Sequence, residues 1–178
     1  KFDAKYLGNA NKAAATADKE PTWCNSSWLV KIEKGEPQAF LRGSEIGIEK
    51  QTRYFMDKKT KEEKPYEFDA FVALKDGNPI SFDANDETNP ADGDLFVDTE
   101  INGIKVKSSL QLLREEAFSR SIEDWAKICG VKAEEITELA QEFTSHGKKA
   151  AADIHRGVSQ HTNGFYNVYA WYSLNLLI

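Results

Sequence analysis

Apolar and polar positions change their rhythm along the chain. From Tyr6 to Ala17 the residues are rich in Ala and Lys, which predicts a helix, with Pro21 as a boundary after it. Trp28-Leu29-Val30-Lys31-Ile32 and Ala39-Phe40-Leu41 then flank a Gly-containing turn, Glu33 to Pro37, and predict a β-hairpin. Two more hairpins are expected. Phe68 to Leu74 and Ile80-Ser81-Phe82 flank Asp76-Gly77-Asn78, and Leu95 to Ile101 and Ile104-Lys105-Val106 flank Asn102-Gly103. Asp-Gly and Asn-Gly accept the positive φ of type I′ turns. Between the first and second hairpins, residues 49–65 are thick with Lys, Arg and acids and close on Pro65, which predicts a solvated loop or excursion.

After Lys107 the period becomes helical. Leu110, Leu113 and Ala117 share one face behind a cap at Ser108 or Ser109. Ser121, with Asp124 three residues on, resembles a capping box and opens a short helix that Gly130 ends. Ile136, Leu139, Ala140 and Phe143 set a helix over about 133–145, stopped by Gly147. Residues 149–155 read as a short buried strand, 156–163 as a Gly-punctuated loop, and 164–178 as an almost wholly apolar helix. The expected class is α/β, a mixed assembly with β-hairpins in the middle and an α/β layer at the carboxy-terminal end. The chain, 1–178, is expected to be one domain or a domain fragment of a larger subunit. Its parts are a helix and hairpin over 1–43, a loop- and hairpin-rich insertion over 44–107, and the α/β layer over 108–178.

Charge narrows the function. The 178 residues carry 23 Lys and Arg against 29 Asp and Glu, a formal charge of −6, so no basic excess exists to neutralise nucleic-acid phosphates. No apolar run approaches the roughly 18 residues of a membrane span. Lys1-Phe2-Asp3-Ala4-Lys5 is polar and carries no secretory pattern. The missing initiator Met and the apolar ending Leu174-Asn175-Leu176-Leu177-Ile178 read as the cut ends of a fragment. Cys129 lies in an apolar pattern and is expected to be buried, and Cys24 buried or half-buried, neither a ligand nor a nucleophile.

The stretch with the most chemistry is His155-Arg156-Gly157-Val158-Ser159-Gln160-His161-Thr162-Asn163-Gly164. Ligands of open α/β sheets gather where strands end in such loops. Glycines let a backbone approach a ligand, Arg156 offers a planar fork for an anion, and the N–H groups opening the last helix offer donors. The same residues also suit a plainer role, with Thr162 or Asn163 capping the helix and His155 packing at the strand end. His155 and His161 lack a third metal ligand at a recurring spacing, so no metal is assigned. The acids at 83–87 and 92–94 lack the glycine and closing Glu of a calcium loop and read as a solvated turn. Asn25-Ser26-Ser27 fits a glycosylation pattern that is expected to be incidental.

Val131 to Phe143, with its Ile136…Leu139-Ala140…Phe143 spacing, resembles a helix of the molybdopterin oxidoreductases, the dimethyl sulfoxide reductase family. The following loop and the helix ending Leu174-Asn175-Leu176-Leu177-Ile178 are similar to that family too, short of its closing Gly-Asn. His155-Arg156-Gly157 with Gln160-His161-Thr162-Asn163-Gly164-Phe165-Tyr166, Asn9 to Ala15 and Glu20-Pro21-Thr22-Trp23 look most like members that reduce tetrathionate. The resemblance implies a piece of a catalytic subunit holding bis-molybdopterin guanine dinucleotide with molybdenum, and a 4Fe-4S cluster carried elsewhere in that subunit. It implies as partners the rest of that subunit, an iron–sulfur electron-transfer subunit and a membrane quinol-oxidising subunit, and a periplasmic location associated with the membrane through those partner subunits. The implied reaction is two-electron cleavage of tetrathionate to thiosulfate in anaerobic respiration, with the isolated piece inactive. Arg156, Gly157, His161, Thr162 and Asn163 are then the residues expected to face cofactor or substrate, with no catalytic residue and no metal ligand assigned within the chain. The rival expectations are a related sulfur or arsenic oxyanion reductase and a non-catalytic α/β binding module.

Overall fold

The computed structural model describes residues 2–178. It divides into two compact units, residues 5–115 and residues 2–4 with 116–178. The chain is mixed α/β, with antiparallel hairpins in the middle and helices after them.

In the first unit, the helix expected from Tyr6 to Ala17 is two helices, α1 (Ala4–Gly8) and α2 (Lys12–Ala17). Asn9 leaves the helical path to form a β-bridge with Asp92. Asn11 takes an extended backbone and caps α2, its Oδ1 accepting from Ala14 N at 3.0 Å. A buried amide side chain competing for backbone donors ends a helix that composition alone would carry through.

All three expected hairpins form. Strands β1 (Leu29–Glu33) and β2 (Glu36–Phe40) make the first. Strands β5 (Phe71–Lys75) and β6 (Asn78–Phe82) make the second, and β7 (Asp98–Ile101) and β8 (Ile104–Ser108) the third. Their turns, Lys34-Gly35, Asp76-Gly77 and Asn102-Gly103, all have positive φ at both residues, matching the twist of the flanking strands. The first and third hairpins join as one antiparallel sheet, β2-β1-β8-β7, with Leu29 opposite Ser108 and Lys31 opposite Val106.

Residues 49–65 correct the expectation of a loop. They contribute β3 (Gln51–Met56), which pairs with β4 (Glu63–Phe68) in a further hairpin. The stretch is solvated, as its charges require, but Thr52, Tyr54 and Phe55 favour a ladder. Asp57 builds the turn: it accepts from Lys59 N at 2.8 Å and Thr60 N at 3.2 Å and pairs with Lys64.

Two apolar clusters hold this unit. One gathers Leu29, Leu41, Val72, Leu74, Val97, Ile101 and Val106. The other centres on Trp28, whose ring lies 4.1 Å from Phe71 and 5.2 Å from Phe40, and whose Nε1 donates to Ala10 O at 3.0 Å. That bond ties the helical segment to the sheet. Cys24 is half-buried, with Sγ 3.1 Å from Ser26 Oγ.

Helix α3 (Ser109–Ala117) leads out of β8, and Ser108 Oγ accepts from Gln111 N, as a cap should. The second unit holds α4 (Ile122–Cys129), α5 (Ala133–Ser145), the four-residue α6 (Arg156–Ser159) and α7 (Gly164–Leu176). Ser121 caps α4, accepting from Asp124 N at 3.1 Å while its hydroxyl donates to the Asp124 carboxylate, and Gly130 closes it in the left-handed region. Cys129 is exposed, contrary to expectation, because the inward position of α4 is Ala126.

The strand expected at 149–155 is not formed. Residues 150–155 take no regular secondary structure, with extended backbone at Ala150 and at His155. At Ala152 a side chain stands where a strand partner would: Asn175 Oδ1 accepts from Ala152 N at 2.6 Å and its Nδ2 donates to Ala152 O at 2.8 Å. The carboxy-terminal end is therefore helical, with an extended segment clasped to α7.

Candidate polar corner at residues 155–164

The expected site residues fall on one corner between the extended segment and α7. Arg156 and Gly157 open α6, His161 and Thr162 lie in the bend after it, and Asn163 is the residue before α7. All five are exposed. The corner is pinned from both sides: Asn175 holds Ala152, and Trp171 Nε1 donates to Asp153 O at 2.9 Å. Within it, Ser159 Oγ donates to Arg156 O at 2.8 Å, and Gly164 N donates to His161 O at 2.8 Å.

Gly164 is buried, and a methyl group there would meet Ser159 O at 2.1 Å. The end of α6 and the start of α7 therefore pass so closely that only glycine fits. No such constraint acts at Gly157, where an added Cβ meets nothing within 4 Å. The plain capping role is not what the structure shows for Asn163, whose side chain makes no capping bond. The first N–H of α7 is not open for a ligand, because His161 O takes it.

Chemically, the corner offers donors. Among the described residues, the side chains of Arg156, His161, Thr162 and Asn163 have no hydrogen-bond partner, which leaves a guanidinium, an imidazole, a hydroxyl and an amide exposed within eight residues. Such a set suits an anion or a polar heterocycle. No group of three or more His, Cys, Asp or Glu able to hold a metal ion occurs among the described residues. The third histidine, His146, sits instead 2.8 Å from Glu142 at the end of α5. Sequence reasoning missed Asn175 and Trp171, the two side chains that fix the corner. The available signal was polar atoms in an otherwise apolar helix, which need partners when they face protein.

The acidic turn behaves as a turn. Asp86 accepts from the Asn89 side chain, from Thr88 N and Oγ1, and from Asn89 N. These bonds hold its carboxyl far below the ordinary aspartate range, the Asn89 amide contributing most.

No family model and no solved structure matches the chain. Curated relatives do. The A subunit of the selenate reductase of Mesobacillus selenatarsenatis is 43% identical over 179 residues, covering 100% of this chain and 16% of that protein. The A subunit of the tetrathionate reductase of Archaeoglobus fulgidus is 36% identical over 183 residues, covering 99% of this chain and 14% of that protein. Its counterpart in the tetrathionate reductase of Salmonella typhimurium is 45% identical over 75 residues, 42% of this chain and 7% of that protein. The chain thus spans about one sixth of the length of the relatives it matches end to end. Aligned from one end to the other with part of these reductase subunits, the chain belongs with them in the molybdopterin oxidoreductase family that its sequence resembles.

Proposed function

We propose that this chain forms part of the catalytic subunit of a molybdenum-dependent reductase of chalcogen oxyanions, and that residues 156–163 face its cofactor or its substrate entrance. The observation that carries the reading is the alignment of the whole chain with subunits of a selenate and a tetrathionate reductase. Both named substrates are small dianions, so a common recognition chemistry serves either. The resemblance of the loop and amino-terminal motifs supports tetrathionate. Of the two relatives aligned end to end, the selenate reductase has the higher identity, 43% against 36%, which supports selenate.

The residues fit the cofactor in a limited way. Arg156, His161, Thr162 and Asn163 would donate hydrogen bonds to the organic part of bis-molybdopterin guanine dinucleotide or to the incoming oxyanion. The cofactor, when bound, supplies two electrons to the substrate. Ligands to molybdenum and to a 4Fe-4S cluster would come from elsewhere in the subunit. Arg156 and His161 lower the cost of bringing a dianion into a water-poor site and of holding the negative charge that builds as the substrate takes up electrons.

The remaining surface supports the same reading. Phe165, Tyr166, Tyr169, Trp171 and Tyr172 of α7 are exposed, Phe165 at 72% and Tyr169 at 69%. A helix apolar on all sides belongs inside a protein, so the rest of the subunit is the partner it fits. The further partners in the proposal are an iron–sulfur electron-transfer subunit and a membrane quinol-oxidising subunit, which would hold a periplasmic catalytic subunit at the membrane.

The test is a steady-state assay of the full-length enzyme with reduced viologen as electron donor and selenate or tetrathionate as acceptor. Arg156→Ala is expected to raise KM for the accepted oxyanion about tenfold, the effect of losing one charge-assisted contact. A matched fall in kcat would add a role in the transition state. Unchanged kcat and KM would remove Arg156 from the site, and reduction of neither oxyanion by the wild-type enzyme would overturn the proposal.

A further inference from the structure

The polar corner is held by few bonds of its own. Val158 N donates to His155 O at 3.4 Å, Gln160 N to Gly157 O at 3.2 Å and Ser159 Oγ to Arg156 O at 2.8 Å. Each of these bonds spans three residues, so together they set the local turns and leave the corner's position to its two ends. Both ends rest on α7. At its start Gly164 lies against the Ser159 carbonyl, and in its last turns Trp171 and Asn175 bond to Asp153 and Ala152. Gly164, Trp171 and Asn175 follow one another at intervals of seven and four residues, the spacing of one helix face.

The loop between those ends has slack. Gly164 and Asn175 are about 16 Å apart along the helix axis, whereas residues 154–163 would reach roughly 34 Å if fully extended. Chain length therefore does not dictate the path, and the bonds at Ala152 decide where it starts. Asn175 holds both backbone groups of that residue, its Oδ1 accepting from Ala152 N at 2.6 Å and its Nδ2 donating to Ala152 O at 2.8 Å. At neutral pH, among side chains of this length, only a carboxamide offers an acceptor and a donor side by side. Ala152 is buried and Asn175 half-buried, so breaking the pair leaves polar groups unpaired away from water.

We propose that Asn175 is a positioning residue for the oxyanion site: by pairing with Ala152 as a neighbouring strand would, it sets where Arg156 and His161 stand. The role rests on residues 156–163 facing substrate or cofactor, as proposed above. Asn175 acts through those two donors, and its loss displaces both without removing a charge. Misplacement of this kind weakens the hold on a dianion even though every donor is still present.

The experiment uses the full-length enzyme and measures KM for the accepted oxyanion and amide exchange at Ala152, each relative to wild type, at pH 5 and pH 8. In Asn175→Asp the carboxylate repels Ala152 O, whereas the protonated acid accepts from Ala152 N and donates to Ala152 O as the amide does. Burial and the facing carbonyl raise the titration of that acid above the ordinary aspartate range. Relative KM is expected to be about tenfold higher at pH 8 and within about twofold of wild type at pH 5, with exchange at Ala152 quickened at pH 8 alone. Asp153 and His155 on the segment, and Tyr166, Tyr169 and Tyr172 on α7, titrate in both proteins and cancel in the ratio. Combining Asn175→Asp with Arg156→Ala should raise KM by less than the product of the single effects, because both act on one donor. Should Asn175→Asp not fold, Trp171→Phe decides, since it removes the bond to Asp153 O and keeps a ring; KM about threefold higher with kcat unchanged is expected. Unchanged KM in the variant of Asn175, or of Trp171 where that one decides, while Arg156→Ala raises it, overturns the positioning role and leaves the proposed site standing. Unchanged KM in Arg156→Ala as well overturns the reading of the corner itself. Equal effects at both pH values, unaltered exchange at Ala152 at pH 8, or a full product in the double variant would also overturn the role of Asn175.

Discussion

Asn11 shows how much one side chain can hold in this molecule. It is fully buried, its Oδ1 accepts from Ala14 N and Ala91 N at 3.0 Å, and its Nδ2 donates to Asn89 O at 2.8 Å. Asn11→Ala would leave those backbone groups unpaired in the interior, a loss of about 3 kcal/mol, read as a lower midpoint in urea. A shift worth under about 1 kcal/mol would mean that those groups find other partners. Asp86 adds a pH dependence. Its carboxyl titrates below the ordinary aspartate value of 3.8 because the native turn hydrogen-bonds the charged form. The stabilisation is therefore complete above that value and is lost as pH falls below it. The drop in urea midpoint between pH 7 and pH 3 should shrink in Asp86→Asn, and an undiminished drop would assign the acid sensitivity to other carboxylates. Residues of this kind were half legible in the sequence. The Asp-Xaa-Thr-Asn run reads as a turn, but nothing local shows that Asn11 reaches a loop some 80 residues away.

At the scale of elements, local chemistry was readable and long-range pairing was not. Asp76-Gly77 and Asn102-Gly103 announce their turns because few other pairs accept two positive φ values. Ser121 and Gly130 bracket α4 for the same kind of local reason. The β3–β4 hairpin was hidden by its charges, since a ladder depends on backbone bonds and tolerates charged side chains facing water. The extended segment 150–155 was misread as a strand because its apolar run is genuine, while its partner is the Asn175 side chain. Gly164 offers a direct test of the corner that follows. In Gly164→Ala the methyl group must displace the Ser159 carbonyl, an overpacking strain of about 2 kcal/mol. Amide exchange over residues 160–167 should quicken several-fold in that variant, and unchanged exchange would show that α6 can move aside.

For the whole molecule, the two units differ in how far they satisfy themselves. Both apolar clusters lie within residues 5–115. In residues 116–178 the buried apolar side chains are Ala126 and Ala152, while the aromatic face of α7 is open. A segment built this way needs a covering surface, and the relatives it matches end to end are about six times as long as this chain or longer. The candidate site was legible as a cluster of residue types, Arg156 to Asn163, because glycine, arginine and histidine gathered there without a periodic reason. Its placement depends on α7, which the sequence marks as apolar without showing what Asn175 and Trp171 grip. The central claim is that this chain works inside a molybdenum reductase. The most direct test is the molybdenum content of the purified full-length protein, measured by mass spectrometry. The account predicts one molybdenum per polypeptide; a protein that reduces selenate or tetrathionate while containing none would contradict it.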